Sequence, residues 1–145
     1  MSYADREGLM HAEVIWKGGQ AFTGRDDHGY SIEMGPPTEN DSGASPMDLI
    51  LIALAGCTAV DVISILQKQR QQVTNFEVHV RAEKAEDHPR VFTAASVEYI
   101  VTGHGVRQDA VERAVELSRT KYCPVHAMLQ QALPLEFSYR VQAAG

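Results

Sequence analysis

Residues 45–72, SPMDLILIALAGCTAVDVISILQKQRQQ, decide how this chain must fold. Ser45 is placed to cap a helix, Pro46 takes the first helical position, and Asp48, three residues after the cap, brings negative charge to the positive helix end. Between Leu49 and Val60 no residue is charged, so this part of the helix is apolar on every side and cannot lie with one face in water. At about 1.5 Å per residue the run is roughly 18 Å long, and it falls short of the roughly 20 apolar residues that cross a bilayer. A long buried core helix is predicted. In its middle, beside Gly56, whose missing side chain would let another backbone come close, lies Cys57, one of two cysteines in the chain.

Upstream, residues 10–16 (MHAEVIW) alternate apolar and polar, and Gly18-Gly19 follows as a hairpin signal. Residues 21–24 and 30–34 read as two more short strands around the polar tip Arg25-Asp26-Asp27-His28-Gly29. Residues 35–44 (GPPTENDSGA) are loop formers without periodicity and carry Glu39. Downstream, residues 76–84 and 91–101 alternate with period two and are predicted to pair as an antiparallel hairpin around Asp87, His88 and Pro89. Over residues 108–121 an amphipathic helix is predicted, with Ala110, Val111, Ala114, Val115, Leu117 and Ser118 facing inward and Glu112, Arg113, Glu116 and Arg119 outward. Pro124 breaks that helix and opens a short one through Ala132, with Cys123 at its N-cap. Residues 135–141 close the chain as a strand. The order βββ-α-ββ-αα-β does not alternate as a parallel α/β sheet requires, so an antiparallel α+β fold is predicted. Without repeats or a linker, residues 1–145 read as a single domain.

The chain has 145 residues, of which 44% are hydrophobic and 22% charged, an ordinary balance for a soluble globular protein. A formal charge of −6 and the lack of any basic run disfavour nucleic acid or an anionic membrane as partner. The N-terminal residues lack the basic-then-apolar pattern of a secretory signal, so the cytoplasm is the expected compartment. There thiols are kept reduced, and a cysteine pair is more readily catalytic, redox-active or inert than a structural disulfide.

Cysteine reacts as thiolate, which is favoured at helix N-termini and beside cations and disfavoured among apolar groups. By position Cys123 is predicted to be the activated thiol, because the helix opening at Pro124 points free N–H groups toward it. Cys57, among aliphatic residues with Asp61 one turn on, is expected to be inert unless a cation reaches it from elsewhere. Residue chemistry alone leaves three readings open. Both cysteines can be small core residues. Cys123 and His126, spaced C-x-x-H, could join Cys57 in a zinc site, but no second Cys/His pair completes the ligand set and no metal is expected. Or the two thiols can be a redox pair. His79, between Val78 and Val80 in a strand, is expected to be exposed.

SPMDLILIALAGCTAVDVISIL, followed 66 residues after its cysteine (123 − 57) by KYCPVHAML, resembles the OsmC/Ohr superfamily, and most nearly its YhfA-like subgroup of OsmC-like proteins. The likeness runs from the first strand to the last. It implies an intertwined homodimer in which two long central helices pack side by side, wrapped by antiparallel sheets, with active sites at the subunit interface. It also implies a thiol-dependent peroxidase that reduces organic hydroperoxides in oxidative stress defence. By the match to GCT, Cys57 would be the peroxidatic cysteine; by the match to YCPV, Cys123 would resolve it to a disulfide. No cofactor is implied beyond an external dithiol reductant. Such peroxidases set an arginine against the thiolate and orient it with a glutamate in a Pro-Glu pair at the start of the central helix. Arg25 in GRDD resembles that arginine. The pair here is Pro46-Met47, and Asp48 and the loop residue Glu39 are the candidate carboxylates; a one-residue slip turns a helical side chain by about 100°. The alternative reading is an OsmC-like protein that senses redox state or binds a small apolar ligand without efficient peroxidase activity.

Overall fold

A computed structural model describes residues 8–36 and 43–145. The chain divides into two compact units, residues 1–50 and residues 51–145, each treated by itself below. In the first, strands β1 (Ala12–Gly18), β2 (Ala21–Asp26) and β3 (Ser31–Met34) form an antiparallel meander in that order. Gly18 and Gly19 turn β1 into β2 with positive φ of 104° and 57°, conformations that suit glycine, and the Trp16 indole N–H donates to the Gly19 carbonyl at 2.9 Å. The β2–β3 turn is held by Asp26, whose carboxylate accepts the N–H groups of His28 and Tyr30 at 2.8 and 2.9 Å. Those backbone bonds, that of Tyr30 foremost, hold its carboxyl below the ordinary aspartate value.

Helix α1 (Pro46–Lys68) starts as its cap signals require. The Ser45 hydroxyl accepts the Asp48 N–H at 3.0 Å and its carbonyl the Leu49 N–H at 3.1 Å. The helix is not buried on all sides. Only Leu54, Thr58, Val62 and Leu66 are buried, a stripe one residue wide at spacing four, while on the other side Ile52 and Val60 are 60% and 67% exposed. At Gly56, between them, a methyl group would meet nothing within 4 Å among the described residues. By length and composition α1 could cross a membrane, contrary to the reading of its uncharged run alone, because the helix continues through the aliphatic residues after Asp61. Its inner stripe nevertheless belongs to a protein core.

That core lies in the second unit. Strands β4 (Gln72–Lys84) and β5 (Phe92–His104) form a long antiparallel hairpin, and β6 (Leu135–Ala143) pairs with β5 in parallel. The α+β order is the one the sequence predicts, but this sheet is mixed rather than antiparallel. The reason lies in the connection: helices α2 (Gln108–Leu117) and α3 (Pro124–Leu129) return the chain to the far end of the sheet before β6 begins. The pleat puts Val97, Tyr99 and Val101 on one face, opposite Val80, Val78 and Phe76 of β4. They meet Leu54, Val62 and Leu66 of α1 and Ala110, Val111, Ala114 and Val115 of α2 in one cluster.

The C-terminus of α1 carries a strain. Gln71 N–H bonds the Leu66 carbonyl and Arg70 N–H bonds that of Gln67, both at 3.0 Å, the paired closure that needs a left-handed residue at Arg70's position. Arg70 takes it, with φ of 59°, where a Cβ is disfavoured. Arg70→Gly should therefore raise stability by about 0.5–1 kcal/mol, seen as a higher urea midpoint at constant slope.

Candidate functional site

Two segments of the second unit carry the cysteines, and hydroxyl groups tie them together. Thr58 follows Cys57 on α1 and points inward, where its hydroxyl lies 2.7 Å from the Tyr99 hydroxyl of β5 and 2.7 Å from that of Ser118. Ser118 Oγ in turn donates to Asp61 Oδ2 at 2.9 Å. Ser118 is also where α2 stops being regular: residues Ser118–Tyr122 form a π-helical turn, and the Cys123 N–H reaches back five residues to the Ser118 carbonyl at 2.8 Å. The Thr58–Ser118 bond therefore holds the turn that bears Cys57 against the turn that leads to Cys123. The two thiols, 66 residues apart (123 − 57), are near enough for Cys57 to act on the ionisation of Cys123, and both are free.

Cys123 does not have the environment that its position at a helix start predicts. Cys123 does cap α3, and its sulfur accepts the His126 N–H at 3.3 Å. Yet burial pushes its thiol up to about 11, and the hydrogen bond to Cys57 and the nearby charges of Cys57 and Asp61 add to that. A helix of six residues supplies one long N–H bond, too little to offset loss of water at a side chain 3% exposed. Cys123 is a held thiol and not an activated one. Tyr99 is likewise pushed up, first by burial, and His126 is pushed down by burial and then by Arg119.

Arg119 is the residue that helical periodicity misplaces. Read on a regular helix it faces outward. The π turn adds a residue to the turn and brings the guanidinium over the Phe137 ring of β6, 3.6 Å from its centre. There its charge is felt by both Tyr99 and His126, and its Nε is buried without a hydrogen-bond partner, as is His126 Nδ1. No local sequence signal distinguishes it from Arg113. Thr58 and Ser118 did leave one: each is a hydroxyl residue inside an otherwise apolar stripe.

Arg25 is exposed on β2, opposite Glu13 and Ser31 in register. Asp48 is exposed in the first turn of α1, where its backbone serves the Ser45 cap. Both belong to residues 1–50; Glu39 lies outside the described residues. His79 is exposed and bonds Glu77 at 3.2 Å. Among the described residues no group of three His, Cys, Asp or Glu side chains is set to hold a metal. A cavity of about 490 Å³ beside Glu83, Ser96 and Pro134 has no thiol in its wall; a cleft of about 380 Å³ reaches Asp61 and Tyr122.

A family model described as OsmC-like protein matches residues 39–138. Over 135 residues the chain is 44% identical to Protein YhfA of Escherichia coli (strain K12), covering 93% of this chain and 100% of that one. Among solved structures, a hypothetical protein from Aquifex aeolicus VF5 superposes with TM-score 0.84 at 29% identity, over 94% of this chain and 98% of that one. An organic hydroperoxide resistance protein OsmC from Legionella pneumophila superposes with TM-score 0.67 over 90% and 96%, at 14% identity, a likeness of fold.

The native state holds the Cys123 proton more tightly than the unfolded chain does. Stability should therefore be present in full below the ordinary thiol value of 9.0 and decline as pH rises toward about 11. Melting temperatures recorded across that window should fall more steeply for the parent than for Cys123→Ala, and mass mapping of alkylation near neutral pH should find Cys57 modified before Cys123.

Proposed function

The chain belongs to the OsmC-like protein family, and on that premise we propose that it is a thiol-dependent peroxidase of organic hydroperoxides, with Cys57 as attacking and Cys123 as resolving sulfur. One observation carries the reading: two free thiols, remote in sequence, are near enough for one to act on the ionisation of the other, and burial pushes the Cys123 thiol up. Since Cys123 is held neutral, the attack falls to Cys57. Its sulfur takes the outer oxygen of the hydroperoxide, the O–O bond breaks, and the alkoxide leaves and is protonated to an alcohol. Cys123 then displaces the hydroxyl from the Cys57 sulfenic acid as water, and an external dithiol reduces the disulfide. By resemblance we assign Arg25 the part of the cation that favours the Cys57 thiolate, and Asp48 or Glu39 that of the carboxylate orienting it.

The reading includes a homodimer. The outer side of α1 presents Ile52, Gly56 and Val60, an apolar stripe with a small residue at its centre, and a second copy of the same helix could pack against it closely. The expected compartment is the cytoplasm, where dithiol reductants are plentiful.

A second reading, redox sensing without efficient turnover, draws on the same Cys123: a thiol pushed up to about 11 closes the disulfide slowly when no base assists it.

With cumene hydroperoxide and a dithiol the parent should turn over and Cys57→Ser should lose essentially all activity; turnover that survives this substitution rejects the peroxidase. Cys123→Ser should form a sulfenic acid, trapped by dimedone, but no intramolecular disulfide. A rate in the parent that saturates at slow disulfide closure would favour the sensor. Val60→Lys should shift the mass in solution from two chains toward one, measured by light scattering.

A further inference from the structure

The cleft of about 380 Å³ runs between the two segments that carry the thiols. Asp61, Ser64, Ile65 and Lys68 line one side of it; spaced three and four apart, they share one face of α1. Leu117 and Tyr122, which precede and end the π turn, line the other. Cys57 continues the same face of α1 one turn before Asp61, about 6 Å along the axis, and Cys123 follows Tyr122 in the chain. The cleft therefore ends one helical turn from Cys57, which is half-buried, and one residue from Cys123, which is buried.

Its charges are of both signs. Asp61 takes the Ser118 hydroxyl on Oδ2 at 2.9 Å, which leaves Oδ1 without a partner among the described residues. Lys68 stands on the wall, and Lys121 holds its ammonium 5.3 Å from the centre of the Tyr122 ring. Neither lysine joins an ion pair among the described residues. Two cations and one carboxylate around Ile65 and Leu117 are a local exception in a chain of formal charge −6, which as a whole repels anions.

We infer that this cleft binds a small peptide thiol carrying two carboxylates and one ammonium, and presents its sulfur to that of Cys57. The carboxylates pair with Lys68 and Lys121 and the ammonium with Asp61. The length agrees: Lys68 lies eleven residues beyond Cys57, roughly 16 Å along the axis, and a lysine side chain leans toward the start of its helix, which shortens the span to about 10 Å. An extended tripeptide is about 10 Å long.

The inference rests on the sulfur pairing proposed above, and it gives the reduction written there with a dithiol a route in two steps. The peptide thiolate attacks the Cys57 sulfur of the Cys57–Cys123 disulfide, since Cys123 is too buried to be reached. A new S–S bond joins peptide and Cys57, the old one breaks, and the Cys123 sulfur leaves with the electron pair and takes a proton. A second peptide thiolate attacks the peptide sulfur of the mixed disulfide and expels the Cys57 thiolate. Two thiols are oxidised to one peptide disulfide, and one protein disulfide is reduced. Between the steps Cys123, pushed up to about 11, stays protonated and does not drive the peptide off again.

Glutathione, with two carboxylates and one ammonium, is the probe, and 2-mercaptoethanol, which has neither, is the reference. With the protein first oxidised by diamide to the Cys57–Cys123 disulfide, the rate of reduction should level off as glutathione is raised and stay proportional to 2-mercaptoethanol. The ratio of the two rates at low thiol should fall about 10-fold in Lys68→Glu, should fall further when Lys121→Glu is added, and should recover in part at high salt, where the parent loses its advantage. Lys84→Glu on β4 changes the net charge by the same amount outside the cleft and should leave the ratio as it is. An unchanged ratio in Lys68→Glu would overturn the site, and so would an equal fall in Lys84→Glu, a parent rate that never levels off with glutathione, or a parent in which diamide forms no intramolecular disulfide. A charge-selective reduction by glutathione in a protein unable to turn over cumene hydroperoxide would sink the peroxidase and leave the site standing.

Discussion

The hydroxyl of Thr58 is the point on which the site turns. It sits at the centre of the only stripe of α1 that the second unit buries, between Leu54 and Val62, and it joins α1 to β5 through Tyr99 and to the end of α2 through Ser118. Removing water from three hydroxyls is costly unless each finds a partner, and here each does. The cluster can be satisfied in one arrangement, so it sets the rotation of α1 against the sheet and the position at which α2 ends. Cys57 is the neighbour of Thr58, and Cys123 is bonded through its own N–H to the carbonyl of Ser118. The meeting of the sulfurs follows from the meeting of the hydroxyls.

Polarity within the pair comes from burial and not from the helix end. Capping gives Cys123 one N–H bond, while its position beneath the π turn takes away nearly all its water. The desolvation prevails because a single long hydrogen bond to sulfur is weak and a thiolate in apolar surroundings is not. In the redox pair proposed above, the sulfur that burial keeps protonated acts second.

The π turn shows how one irregular turn changes the chemistry of a surface. Had α2 continued regularly, Arg119 would share the wet side with Glu112 and Glu116. Wound wider, the same residues place a guanidinium on the Phe137 ring, within electrostatic reach of Tyr99 and His126. A cation thus enters the thiol-bearing unit from the chain segment just before Cys123.

Local composition was enough to determine the elements. Ser45-Pro46 and the uncharged run after it specify α1, the two period-two stretches specify the β4–β5 hairpin, and Pro124 after Cys123 specifies the start of α3. Each is an interaction between near neighbours or a repeat with a fixed period, so each is written in the order of residues; the resemblance then pointed to the two cysteines as a pair. What tertiary structure alone decided are the quantities that depend on who packs against whom: the parallel seating of β6, the narrowness of the buried stripe on α1, the inward turn of Arg119 and the held proton of Cys123. Desolvation and hydrogen-bond partnership are properties of a place in space, and only folding assigns residues 58, 61, 99, 118 and 123 to the same one.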